Sequence, residues 1–470
     1  MKSRDLNHVN RSGPATERAS VLVIVLLIAF GLISIALYFA NSMSLELRAS
    51  DNRASGLASN QIIEGAARYV SSVLVTYATN GAVPDISQYQ AEAVPLGNAK
   101  VPEENGRFWL IGRDPAAASG GSASSEPYFS LIDEASKLDL NAPWLTPGII
   151  SSNLPRMRLD LADAMIDWRE TNGTGSSLNY ARLGYSSKHA PFETVGELRL
   201  VYGATRDILV GEDVNQNGVL DADESKNGLT DPGLFDYFTV YSRQPNTHSD
   251  GTALTNINDQ ASLRALLEER LGASRAQTII QSLFGGGGGP GGGGPGGGPP
   301  TTPTFGSLLR FYMTASRTAG MTTDEFAQIY NDITVTNAPF TIGRVNINTA
   351  PTAVLACLPG MDLNSAQQLV NYRRSNPATL TSIAWVVNPL GSSSSALQTL
   401  AQGDYITTRS YQFTADVAAV GPYGRGYRRV RFVFDISEGT PKIIYRQDLS
   451  RLGWALGRQT RDTWIAKNTR

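Results

Sequence analysis

Cysteine is all but absent. Cys357 is the one thiol in 470 residues, so no intrachain disulfide can form, and the chain is not a disulfide scaffold. A large domain folds without such staples, so an oxidising compartment stays open. Histidine is nearly as scarce: His8, His189 and His248 stand far apart with no cysteine beside them, which removes the spacings of a zinc site. Charge is balanced, 40 Lys+Arg against 42 Asp+Glu for a formal net charge of −2. That leaves no broad positive field to hold nucleic acid. A G-x-S-x-G elbow, an H-E-x-x-H helix and a Walker loop are all missing, and the glycine tract lacks the lysine of a phosphate loop. Among 42 acidic residues a glycosidase-like pair has no discriminating power. No enzyme is expected. The length does suffice for two or three cores.

Proline is missing between Arg18 and Pro84, and that absence allows one long helix. Residues 1–19 are polar and carry Lys2, Arg4, Arg11 and Arg18; Val21–Ala40 is then an almost unbroken apolar run. At about 1.5 Å per residue the run spans the roughly 30 Å hydrocarbon layer. The basic leader puts the N-terminus in the cytoplasm and the bulk of the chain outside it. Leu47, Ala54, Ala58, Ile62, Ala66, Tyr69 and Val73 recur at helical spacing, so the helix is expected to continue to about Thr79 with one apolar face. Such a helix suits lateral packing in a bundle or filament.

The segment RASVLVIVLL resembles a type IV prepilin leader: a basic residue, a small residue, then an immediate apolar helix. The resemblance implies cleavage by a prepilin peptidase between Ala19 and Ser20. Ala19 stands where glycine is usual, and Ile24 occupies the fifth mature position, where most pilins carry glutamate. Lack of that glutamate resembles the type II secretion system protein K family. Four further phrases follow in the same order: LIDEASKLDLNAP (131–143), LADAMIDWRE (161–170), APFETVGELRLVYG (190–203) and VNINTAPTAVLACLPGM (345–361). Membership implies a non-enzymatic minor pseudopilin at the pseudopilus tip, anchored once in the bacterial inner membrane with its bulk in the periplasm. Its implied partners are the other minor pseudopilins, the major pseudopilin and the prepilin peptidase; nucleic acid is not expected among them.

The alternative is a membrane-anchored DNA-binding protein of an uptake pilus, and an internal duplication motivates it. KLDLNAPWL leading to NLPRMRLDLADAMIDWR parallels RVNINTAPTAV leading to CLPGMDLNSAQQLVNYR, each a short strand, a helix, a Leu-Pro turn and a helix. This cadence is that of a helix-hairpin-helix, which in many proteins grips phosphate through a Pro-Gly-X-Gly turn. The turns here are Pro155-Arg156 and Pro359-Gly360; both lack the final glycine, and Asp362 would face a phosphate in the second. A structural role is therefore expected, and residues 267–284 read as a degenerate third unit.

The fold class expected is α+β: a long N-terminal helix, a pilin-like antiparallel sheet and a large inserted helical domain with helix-hairpin-helix-like repeats. Strands are expected at 107–113 and 127–140 and in three runs near the C-terminus, within 405–450. The expected organisation is leader 1–19, transmembrane helix 20–42, stalk and first strands 43–140, inserted domain 141–345, a second hairpin unit 346–400, and closing strands and tail 401–470. The glycine-rich stretch 285–304 cannot bury apolar surface and is expected to be a disordered loop.

One motif carries metal chemistry. Asp213, Asn215, Asn217, Gly218, Val219, Asp221 and Glu224 occupy positions 1, 3, 5, 6, 7, 9 and 12 of a loop, which satisfies the calcium pattern D-x-D/N-x-D/N-G-x5-E. Calcium seeks six to eight oxygens; Gly218 permits the sharp turn, Val219 lends a carbonyl and Glu224 closes the site. The competing reading is an Asx-rich turn that bonds only its own backbone. Asp231 and Asp236 are nearby acids that are candidates to contribute.

Overall fold

The computed structural model describes residues 15–78, 81, 92–97, 100–114, 126–171, 180–221, 224, 233–285 and 303–468. Helix α1 spans Ala15–Val75, close to the expected reach because neither proline nor a glycine pair interrupts it. It is long and apolar enough to cross a membrane, and its large apolar side chains from Val21 to Phe39 are exposed.

The outer part of α1 packs on a sheet. Ser59, Ile62, Ile63, Ala66, Ala67, Val70 and Leu74 are buried. Of the face expected from periodicity, Ile62 and Ala66 are buried, whereas Leu47, Ala54 and Tyr69 are exposed. The seam is set by small residues instead. Gly426 lets the turn approach the helix at Ser55 and its carbonyl accepts from the Ser59 hydroxyl, while Gly106 leaves room for the Ile62 side chain.

The sheet draws on both ends of the described chain. In order it runs Val94–Leu96, Gly106–Ile111, Gln412–Val420, Arg428–Asp435 and Lys442–Asp448, all antiparallel, with Ile132–Asp133 pairing the strand Gln412–Val420 as well. Every residue of Gln412–Val420 is buried, so both faces are covered. Phe413, Ala415, Val417 and Ala419 meet α1. Ala418 and Val420 join Trp109, Ile111, Ala455 and Leu456 on the far side. The expected strand 127–140 breaks in two, because the Asp133 carboxylate accepts from the Ala135 N–H at 2.9 Å and starts a 3-10 turn over Glu134–Ser136.

Residues from Leu138 to Ile406 build a separate, larger core. One local geometry occurs in it three times. Short parallel pairs join Leu138–Asp139 to Phe238–Thr239, Thr255–Asn256 to Ile333–Thr334, and Val345–Asn346 to Ile406–Thr407. Asp139, Asn256 and Asn346 each accept, through the side chain, the N–H two residues on, at 2.8, 3.0 and 3.0 Å. Thr239, Thr334 and Thr407 do the same at the closing strand, at 3.0, 3.5 and 3.0 Å. Between the strands lie helix pairs: Pro147–Asn153 with Leu159–Arg169, Gln260–Leu271 with Ala273–Phe284, and Thr352–Ala356 with Leu363–Ser375. The three turns put Arg156, Gly272 and Gly360 at φ of 60, 85 and 80°. Arg169 and Arg373 occupy matching places and donate to carbonyls of their own extended segments. The architecture is α+β. Most of the glycine-rich stretch, residues 286–302, lies outside the described residues.

Candidate functional site

The acidic loop folds around its own amides. Asp213 accepts from the N–H groups of Asn217 at 3.0 Å and Gly218 at 2.7 Å. Asn215 Oδ1 accepts from Asn217 N, and Asn217 Oδ1 from Val219 N, both at 3.0 Å. Glu224 reaches back to the N–H groups of Asn215 at 2.9 Å and Asp221 at 3.2 Å. The amide nitrogens of Asn215 and Asn217 both donate to Asp221 Oδ2, at 2.7 and 3.3 Å. Gly218 turns the chain at φ +87°, a conformation in which an L side chain is strained. The six residues singled out for calcium thus share one compact loop.

Their donors are all oxygens: three carboxylates, two side-chain amides and the Val219 carbonyl, the set a hard cation takes. Among the described residues, no three His, Cys, Asp or Glu side chains are grouped closely enough to hold a metal by themselves. The donors fit calcium in kind, with two amide hydrogens now bonded to Asp221 where a cation would bind. Of the two further acids considered, Asp236 is taken by Arg113, as a two-bond fork of 2.6 and 2.8 Å, and Asp231 lies outside the described residues. Burial pushes the Asp213 carboxyl up to about 6 against the pull of Arg113.

This loop sits against the sheet. Arg429, with no exposed surface, forks onto Asp416 at 2.8 and 2.9 Å. The same guanidinium donates to the carbonyls of Asn215 and of Gln216, the latter at 2.7 Å. Arg431 joins Asp416 at 2.9 Å. Burial raises Asp416, but the two guanidiniums outweigh it and hold the carboxylate well below the usual range. Asn215 also donates to the Trp454 carbonyl at 3.3 Å. A second tie lies nearby: Glu134 accepts from Thr414, Thr239 and Lys137, which binds the sheet to the first parallel pair. Periodicity does not reveal these groups, yet one signal exists: Asp416 interrupts a run that otherwise reads as a buried strand.

The remaining singled-out residues lie elsewhere. Ile24 is 56% exposed on the free part of α1. Ala19 and Ser20 fall within α1, before its first described side chain. Pro155 and Arg156 turn one hairpin, Pro359 and Gly360 the other, and their leading helices touch where Asn153 donates to the Ala356 carbonyl at 2.9 Å. Asp362 caps the following helix by accepting from Ser365 N at 2.8 Å. A carboxylate therefore already fills that helix N-terminus, where a phosphate grip needs free amides.

No curated protein matches the chain. Residues 345–403, the third of the repeated units, match the family model described as type II secretion system (T2SS), protein K.

Proposed function

We propose that the chain is a minor pseudopilin, a non-catalytic assembly subunit at the tip of the type II secretion pseudopilus. The family match over residues 345–403 carries this reading. The shape of α1 supports it. Its apolar segment from Val21 to Phe39 stands clear of the head, available first to lipid and then to the helices of neighbouring subunits. The sheet packed on its outer part is the pilin-like head, and residues 138–407 form the inserted domain, with three helix-hairpin-helix-like units. That bulk would obstruct a subunit stacked above it. Ile24 fits the same position, since a leading subunit has no predecessor's amine to neutralise. The span would anchor in the inner membrane, with the head in the periplasm.

The peptidase is proposed to cut between Ala19 and Ser20. N-terminal sequencing of protein extracted from membranes tests this: Ser20 is the expected first residue, and an intact Met1 or a start after Ala40 would end the pilin reading of this segment.

Calcium is proposed to occupy the loop, held by Asp213, Asn215, Asn217, Val219, Asp221 and Glu224. Bound there, the ion would neutralise three carboxylates and stiffen the loop that Arg429 fastens to the sheet.

A further inference from the structure

Arginine in this protein repeatedly uses one edge of its guanidinium. Arg113, Arg275 and Arg429 each present Nε and Nη2 to the two oxygens of a carboxylate, on Asp236, Glu325 and Asp416. That edge is a rigid two-donor fork matched to a carboxylate or phosphate. Arg409 departs from this use. It is only 6% exposed, yet its Nε and Nη2 have no hydrogen-bond partner. Its other nitrogen, Nη1, donates to the Asn331 carbonyl at 3.2 Å, and the guanidinium lies 5.2 Å from the centre of the Tyr330 ring. Burying a cation without a counter-charge is costly.

Arg409 lines a cavity of about 220 Å³ between the sheet and the helical core, together with Ser437, His248, Asp332, Tyr411 and Ala78. Ser437 is 8% exposed, and its hydroxyl, like the Arg409 fork, has no partner. The one carboxylate on the wall, Asp332, is engaged by Arg270 at 2.9 Å, with His248 at 3.9 Å. The His248 side chain is 37% exposed, which puts it at the mouth. Arg409 and Ser437 therefore border one pocket, their unpartnered N–H and hydroxyl groups have almost no accessible surface of their own, and no carboxylate of the wall offsets the Arg409 charge.

We propose that this cavity is a receptor for a small oxyanion, towards which the Arg409 fork and the Ser437 hydroxyl turn as it binds. The site is separate from the calcium loop and from α1, and the assembly role does not depend on it. Two sources share the chemistry: free inorganic phosphate, and a carboxylate carried by a protein. The test is calorimetric titration of the full detergent-solubilised chain with inorganic phosphate and, separately, with acetate, at constant ionic strength. Saturable binding of at least one anion is expected, and Arg409→Lys, which keeps the charge but loses the fork, should weaken it at least tenfold. Ser437→Ala should weaken it by a smaller factor, and serves as the second variant if Arg409→Lys does not fold. Binding of phosphate alone identifies the free ion as the source, and binding of acetate identifies a carboxylate. No saturable binding of either anion, or binding unchanged in Arg409→Lys and Ser437→Ala, would overturn the proposal and leave the cavity filled by water alone.

Discussion

Removing the Glu224 carboxylate tests the calcium proposal, and the structure dictates which substitution to use. In the loop Glu224 already accepts from Asn215 N and Asp221 N. Glu224→Ala would strand both donors even without metal, at about 1–3 kcal/mol, and so confound the result. Glu224→Gln keeps one acceptor and the side-chain length while losing the charge and the two-oxygen grip. Extracellular-type calcium sites work at dissociation constants of roughly 10⁻⁴–10⁻³ M. With calcium at 100 times that constant, the wild type gains about 2.7 kcal/mol by mass action. A melting rise of roughly 5–10 °C corresponds for a unit of 150–250 residues. If the substitution weakens binding about 100-fold, the same calcium concentration sits near the new constant and stabilises by only about 0.4 kcal/mol. Thermal melts of the full chain in detergent, with calcium, magnesium or chelator, make the comparison. Magnesium should substitute poorly, because it demands a tight octahedral shell. A wild type that melts alike in calcium and chelator would reduce the loop to an Asx-rich turn. A Glu224→Gln protein that keeps the full calcium shift would move the ion elsewhere.

Arg429→Met should destabilise by about 3 kcal/mol in denaturant melts, since it leaves the buried Asp416 with Arg431 alone and strips two loop carbonyls of their donor; a loss under 1 kcal/mol would refute the joint as described. Gly360→Ala should cost about 2 kcal/mol, because φ is +80° and the new Cβ would lie 2.5 Å from Thr399 Cβ; unchanged stability would refute that strain. Burial pushes the Asp139 carboxyl up to about 7 and Asp133 up to about 6. A raised carboxyl pKa favours the folded state while the group is protonated, so this stability is whole below about pH 4 and is lost as pH rises towards 7. Each group contributes a slope approaching about 1.4 kcal/mol per pH unit inside that window. Asp139→Asn, which installs the residue found at the matching positions 256 and 346, should flatten part of the slope in urea melts between pH 4 and 7. An unchanged slope would contradict the burial argument.

Much of the scaffold could be read from local pattern. The long helix follows from an apolar run without proline, and the strands near Phe108, Phe413, Phe432 and Ile443 follow from β-rich runs between turn residues. The face of α1 could not be read in the same way. Periodicity finds apolar residues, but the seam was fixed by where Gly106 and Gly426 let the helix come close. The duplication was legible as two units and, through residues 267–284, as a degenerate third; the strand pair of that third unit, Thr255–Asn256 with Ile333–Thr334, was not, because a two-residue strand gives almost no periodic signal. The acidic loop proposed for calcium was legible because its residues are close in sequence. The Arg429–Asp416 joint and the unpaired Arg409 fork were not, since each depends on side chains that only the fold brings together.

The central claim is placement at the tip, and its most direct test is the position of the protein on assembled pseudopili. Filaments bearing an epitope-tagged, processed chain would be labelled with gold and imaged. The account predicts label confined to one end of each filament; label distributed along the shaft would contradict it.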